Sequence, residues 1–457
     1  MVTARLAEHV ATARDRSLPD DVALKARLHL LDTVAAMVSG ARLDVGRRVL
    51  AFARATASGT EAGVLASRVR TGATAAALAN GMLAHADETD DSHAPSLTHP
   101  GCAVVPAAFA AAEATGATGE ALLRAVVAGY DVGPRIALAL GGERFFVAGY
   151  SSHAVGGLFG AAAAAGVLYG LDAAAARSLF GYTVQMASGN ACWRRDAEHV
   201  EKAFDFGGMA AMNGTLAAQM VAHGFTGVCD ALEGEPGLFT AFAADADPGR
   251  AVDGLGERFE IMRTAVKKWC VGSPIQAALD ALEALMAEDA VGADSVEEIV
   301  VALPATSAKV VDDRAMPDVN LQHQLSLMLI DGTVTFASTH DHSRMTDPAI
   351  VAMKRRIRLD PRTDEEFATH TRQAIVTARR RDGTVVERKV RHVRGTPLNP
   401  MMAEEVVTKA RDLMGPVLGP SRTDEAIEIA MSFGREPTVG RLVERLAVDE
   451  CDNGAAG

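Results

Sequence analysis

From its first residue to about residue 264 the chain repeats apolar positions at helical spacing, segment after segment. RLAEHVATARD, PDDVALKARLHLLDTVAAMVSG, GEALLRAVVAGYDVGPRIALAL and AAARSLFGYTVQMA all show it, and Pro, Gly or Asp mark their ends. In the second, Pro19 followed by Asp20 and Asp21 suits a helix start, where carboxylates meet the positive end of the helix dipole. Residues 154–170, AVGGLFGAAAAAGVLYG, are almost wholly apolar, but short and rich in Ala and Gly, which predicts a buried core helix rather than a membrane span.

The texture changes between about 265 and 396. VEEIVVALP and TRQAIVTARRRDGTVVERKVRHVRG are rich in β-branched residues, and Asp382-Gly383 between two strand-like runs is a hairpin signal. Helical patterns are interleaved at SPIQAALDALEALMAE and LQHQLSLMLIDG. After Pro397 helices return in MAEEVVTKARDLMG, TDEAIEIAMSF and TVGRLVERLAV. The pattern predicts a mostly α chain. Residues 1–264 and 397–457 form a large all-α helical domain, and residues 265–396 form a smaller α+β lid domain inserted into it. No internal repeat or low-complexity linker interrupts this organisation.

Composition narrows the function. With 457 residues, 49% hydrophobic and 23% charged, the chain has the make-up of a soluble globular protein with a large core. Aromatics are only 5%, so small side chains must do much of the helix packing. A net charge of −13 argues against nucleic acid as a partner, while leaving a small anionic substrate open. The opening segment, MVTARLAEHVATARDRSLPDD, is charged throughout and lacks the apolar run of a signal peptide. The five cysteines (Cys102, Cys192, Cys229, Cys270 and Cys451) form no C-x-x-C pair, so neither a zinc ribbon nor an iron–sulfur cluster is indicated. A cytoplasmic protein with free thiols and no membrane partner is expected.

One segment breaks the apolar pattern. HADETDDSHAPSLTHPG, residues 85–101, holds His85, His93 and His99 together with Asp87, Glu88, Asp90 and Asp91, and Pro95 and Pro100 bar an ordinary helix. A polar loop between apolar helices is a natural place to display catalytic groups; the plainer reading is a solvated acidic loop. The loop's His and Asp/Glu residues are suitable ligands for zinc, iron or manganese, but no H-E-x-x-H or helical histidine pair supports a metal. A single imidazole acting as general acid or base needs no metal. At Tyr150-Ser151-Ser152-His153, Ser152 is positioned to cap the Ala/Gly helix and leave His153 in its first turn. There the helix field favours an anion beside a neutral imidazole. The glycines at 156, 157 and 160 follow no strand, so a dinucleotide loop is rejected. Lys202, ahead of a small-residue helix, and Lys267 with Lys268, leading into another, are candidate carboxylate binders; a lone lysine is otherwise a surface residue.

Six motifs, in order, together resemble the MmgE/PrpD (2-methylcitrate dehydratase) family, which includes cis-aconitate decarboxylases and an iminodisuccinate epimerase. They are LLDTVAAMVSG, NGMLAHADETDDSHAPSLTHPG, AGYDVGPRIALA, SSHAVGG, KAFDFGGMAAMNG and KKWCVGSPIQAALDA, spread over nearly the whole chain. The resemblance implies a homodimer whose active site uses neither metal nor organic cofactor. It places catalytic histidines at His99 and His153 and catalytic lysines at Lys202 and Lys267. It puts substrate-binding positions at Glu88, Asp91 and Ser92. The departures are that the loop is one residue longer before His99 and that Glu88 replaces an Asp. Lys268-Trp269-Cys270 replaces Pro-Tyr-Pro. Gln276 stands where a His is often found, and His323 where the decarboxylases carry a Tyr. Gln276 and His323 are therefore added as candidate substrate contacts.

The implied substrate is a small di- or tricarboxylate. A neutral imidazole removes a proton alpha to a carboxylate and the lysines stabilise the enolate-like charge. Loss of a β-hydroxyl from that intermediate is dehydration, the leading expectation, which makes the chain a lyase. Reprotonation on the other face is epimerisation, and entry by loss of carbon dioxide is decarboxylation. A metal-dependent hydrolase or lyase built on His85, His93 and His99, and a non-catalytic carboxylate binder, are the alternatives from other classes.

Overall fold

The computed structural model describes residues 1–369, 372–434 and 439–449, and it is mostly α-helical; beside a short antiparallel pairing of Ala62–Gly63 with Arg70–Thr71 it has one small, four-stranded mixed sheet. Cys451, the final residues of the 397–457 segment and the Thr438 start of its last helical pattern lie outside the described residues. The apolar spacing becomes helix where it is expected. The longer helices are α1 (Val2–Ala13), α2 (Asp20–Gly40), α3 (Asp44–Thr56), α4 (Ala73–Ala84), α5 (Gly101–Thr115), α6 (Gly119–Ala139), α7 (Ser152–Leu168), α8 (Ala173–Met186) and α9 (Met209–Ala222). They are followed by α10 (Gln276–Asp289), α11 (Leu321–Asp331), α12 (Ala403–Leu418) and α13 (Pro420–Ser432). Pro19 caps α2, with Asp20 and Asp21 in its first turn. Contact density divides the chain into two compact units. One contains residues 1–86, 90–266 and the chain from 403 on; the other contains residues 87–89 and 267–402.

In the first unit, α7 is buried along its whole length, as its composition predicts, and it crosses α6 through glycines. A Cβ on Gly133 of α6 would stand 2.4 Å from the Gly156 carbonyl of α7, and one on Gly160 would stand 2.8 Å from the Gly129 carbonyl. Only hydrogen fits there, so the two backbones touch. Among the described residues, no helix is long and apolar enough to cross a membrane.

The second unit holds the sheet: β1 (Val296–Pro304), β2 (Ile357–Arg362), β3 (Ala374–Arg380) and β4 (Val385–Val390), in the order β2-β1-β3-β4. β1 runs parallel to β2 and antiparallel to β3. The β3–β4 hairpin turns at Asp382-Gly383, where Gly383 takes φ +87° and Asp382 accepts from the Thr384 amide at 2.9 Å. Ile299, Val301, Val376 and Ala378 on the sheet join Ala278, Leu282 and Leu285 of α10 in one core.

Candidate active site

α4 stops at Ala84 and α5 begins at Gly101, leaving residues 85–100 as the connection. It is not a solvated loop: only Ala94 and Pro95 are exposed, and every residue from His85 to His93 is buried. Buried acids need partners. Asp91 has three: its Oδ2 accepts from His29 Nδ1 at 2.7 Å and Tyr130 OH at 2.6 Å, and its Oδ1 accepts from the first amide of α5, Gly101, at 3.0 Å. Burial works to raise its pKa, but His29, Tyr130 and Gly101 overcome that and hold Asp91 below the usual carboxylate range. Both of its oxygens are thus engaged in anchoring the loop. Next to it, the Ser92 backbone pairs with Ala265.

His93 is a second anchor. Its Nδ1 lies 2.7 Å from Ser96 Oγ and its Nε2 lies 3.1 Å from Glu260 Oε2. Glu260 is also flanked by Arg135, Arg258 and Arg263. Burial opposes its ionisation, yet His93 and the arginines pull its pKa down to about 2. With both ring nitrogens engaged in this way, His93 does not join His85 and His99, and the metal-ligand set read from the three histidines is not assembled.

What the loop does assemble is a pair of imidazoles on one carboxylate. Asp90 Oδ2 lies 3.1 Å from His99 Nδ1 and 3.0 Å from His85 Nδ1. Asp90 can only accept when ionised, so His99 donates Nδ1–H and keeps its lone pair on Nε2. The His153 ring centroid is 5.2 Å from that of His99. Phe206 stacks on His153 at 3.8 Å and 13°, and on His85 at 4.2 Å and 16°. Two near-parallel imidazoles that close cannot share one face, so Phe206 lies between them. Lys202 Nζ stands 5.2 Å from the Phe206 centroid and 5.5 Å from Trp193, within cation–π range.

Local sequence explains how these groups converge. A Cβ on Gly207 would be 2.1 Å from the Gly81 carbonyl, so α4, which delivers His85, touches the segment that carries Phe206. That segment, Phe204–Gly208, is a π-helical turn between Val200–Ala203 and α9. Such turns favour functional sites. The α7 cap is Ser151, not Ser152: Ser151 Oγ accepts from the Ala154 amide, while Ser152 Oγ donates to the Leu97 carbonyl at 2.7 Å. His153 remains in the first turn. Burial first, then the charges of His99, His85 and Lys202, hold its pKa well below the ordinary value, so it is neutral. Ser151 Oγ also donates to Asp205, whose pKa burial raises to about 7.

In the second unit, Lys267 Nζ donates to the Glu88 carbonyl at 2.6 Å and lies 3.5 Å from the Glu88 carboxylate. Asp87 pairs with His340 Nε2 at 3.0 Å. Gln276 is fully engaged by backbone: its Nε2 donates to the Trp269 and Val271 carbonyls, and its Oε1 accepts from the Trp269 amide. Lys268 pairs with Glu283 and lies over the Trp269 ring at 4.4 Å. His323 sits in the first turn of α11, its backbone amide donating to Asn320 Oδ1 at 2.9 Å. Its ring is fully buried, neither ring nitrogen has a hydrogen-bond partner, and burial, with Lys354 and Arg344, lowers its pKa to about 4. Phe206, Trp193 and Asp205 were not singled out by sequence reasoning, and Asp90 was named only among the acids of the loop, with no role of its own. Two aromatics beside a lysine, in a chain this poor in aromatics, were the available signal.

A neutral imidazole beside a carboxylate-oriented one, with an ammonium at the rim, can move a proton at carbon and steady an adjacent anion. The chain is similar to several known proteins. A cis-aconitate decarboxylase of Aspergillus terreus (strain NIH 2624 / FGSC A1156) is 25% identical, over 97% of this chain and 96% of its own length. Another from Aspergillus terreus is 24% identical over the same shares. A cis-aconitate decarboxylase-like protein of Aspergillus oryzae is 28% identical over 62% of this chain and 61% of its own length. Residues 4–251 match the MmgE/PrpD N-terminal domain and residues 269–434 match the MmgE/PrpD C-terminal domain. Between them the two domain matches take in His85, Asp90, His99, His153 and Lys202, and the chain belongs to the MmgE/PrpD family.

Proposed function

We propose that this chain is a cofactor-independent lyase acting on a small di- or tricarboxylate in the cytoplasm, by proton transfer at the carbon alpha to a carboxylate. The observation that carries the reading is the buried pairing of His99 with Asp90 beside a neutral His153. His99, its Nδ1 proton directed at Asp90, acts through Nε2 as the base. His153 delivers or receives the second proton. Lys202 and Lys267 pair with substrate carboxylates and with the charge that develops in the enolate-like intermediate. Glu88, through its contact with Lys267, sets where that ammonium points. Asp91, Ser92 and Gln276 act indirectly, by fixing the loops that carry these groups. His323, where related decarboxylases have a Tyr, is a specificity position.

Dehydration of a hydroxy acid is the first reading. Decarboxylation of an unsaturated tricarboxylate is the second, favoured by the names of the full-length relatives. Proton NMR in deuterium oxide separates them, with a panel of hydroxy-, unsaturated and imino-carboxylates. A new vinyl signal from a hydroxy acid supports dehydration, and release of carbon dioxide supports decarboxylation. Deuterium uptake with scrambled stereochemistry and no net conversion identifies an epimerase instead. No exchange with any of these acids would sink the proposal.

A further inference from the structure

We infer that His85, Asp90 and His99 form a binding site for a late first-row divalent cation such as Zn²⁺, and that filling it switches the enzyme off. The inference rests on the acid–base reading of His99 given above. Asp90 Oδ2 is 3.0 Å from His85 Nδ1 and 3.1 Å from His99 Nδ1, and one donor atom from each residue lies within 4.8 Å of the others. Metal–ligand bonds of about 2.1 Å place tetrahedral donors roughly 3.4 Å apart, so these separations suit a single ion after a small outward shift. His85 supplies the independent sign of a ligand. It is fully buried, Nδ1 faces Asp90, and neither of its ring nitrogens makes a hydrogen bond. Two imidazoles and one carboxylate select zinc, cobalt or nickel over calcium or magnesium.

The consequence follows from imidazole chemistry. A neutral ring carries one proton. In the metal-free enzyme that proton sits on His99 Nδ1, facing Asp90, and the Nε2 lone pair takes the substrate proton. Ligation through Nδ1 moves the proton to Nε2, so His99 has no lone pair with which to act as a base. Asp90 is drawn to the metal at the same time. Metal binding and base catalysis by His99 are therefore mutually exclusive, and the site is inhibitory.

The test uses chelator-stripped full-length enzyme titrated with Co²⁺ as a spectroscopic probe and with Zn²⁺. Expected are one equivalent of Co²⁺ with visible bands of low-symmetry, four-coordinate cobalt, their loss in His85→Asn, and loss of substrate exchange on adding one equivalent of Zn²⁺. X-ray absorption of the zinc-loaded wild-type protein needs no variant. It should show two imidazoles and oxygen, without sulfur, around the zinc. Absence of stoichiometric Co²⁺ binding, or a sulfur-containing shell, overturns the site and leaves the acid–base reading standing. A stripped enzyme that is inactive and regains exchange with Zn²⁺ overturns both the inhibitory role and the metal-free reading.

Discussion

Asp90 decides which nitrogen of His99 carries the proton, and that makes it as consequential as the base itself. Asp90→Asn keeps the shape, but its amide can also donate, which allows the opposite tautomer. The expected result is a loss of about 10²–10⁴ in kcat, a range typical of a mispositioned general base, with KM little changed. His99→Ala should abolish turnover while circular dichroism and melting remain near those of the parent. Near-normal rates in His99→Ala would remove His99 from the mechanism. Asp205 carries a separate, pH-dependent prediction. Its carboxyl titrates at about 7 in the fold because it is buried, against about 3.9 in an unfolded chain. Between those values the folded chain holds a proton that the unfolded chain has released, so Asp205 makes stability fall as pH rises through that window. Asp205→Asn keeps an oxygen for Ser151 and removes the charge. The variant should melt above the parent at pH 8 and level with it near pH 4. An equal difference at both pH values would refute the assignment.

At the scale of elements, glycines govern how closely the site-bearing helices approach. Gly133→Ala in α6 would press a methyl group into the Gly156 backbone carbonyl, an atom that cannot swing aside. The expected cost is about 1–3 kcal/mol or more, read by urea unfolding, with lower activity because α7 carries His153. A Gly133→Ala variant as stable and as active as the parent would overturn the close-approach argument. What was legible in the chain depended on the range of its cause. Local signals read well: the Asp20 start of α2, the Asp382-Gly383 hairpin and the apolar spacing all have short-range causes. The capping serine was misread by one position because Ser151 and Ser152 are chemically equivalent in sequence. Only Leu97, brought in from another part of the chain, occupies Ser152 and leaves the cap to Ser151. The π-turn at Phe204–Gly208 has no periodic signature, and its Gly207 packs against Gly81, a residue far from it in sequence. The burial of the histidine loop was illegible for the same reason: His29, Tyr130 and Glu260, which neutralise its polar groups, lie far from it in sequence.

For the whole molecule, the change in texture near residue 265 and the return of helices after Pro397 were visible in the sequence. The assignment of residues 87–89 to the second compact unit was not, since it depends on Lys267 and His340 meeting Glu88 and Asp87. Oligomeric state belongs to this scale too. The family resemblance implies a homodimer, and charge predicts how it should respond to salt. Each chain of 47.7 kDa carries −13, so two chains repel at long range. The Debye length shrinks from about 30 Å at 0.01 M salt to about 8 Å at 0.15 M, which screens that repulsion while leaving apolar contacts intact. Sedimentation equilibrium should therefore give twice the chain mass at 0.15 M salt, with measurable dissociation as salt is lowered. A species of 47.7 kDa at every salt and protein concentration would rule out the dimer, and a dimer that weakens as salt is raised would show that charge pairing, rather than apolar burial, holds it together.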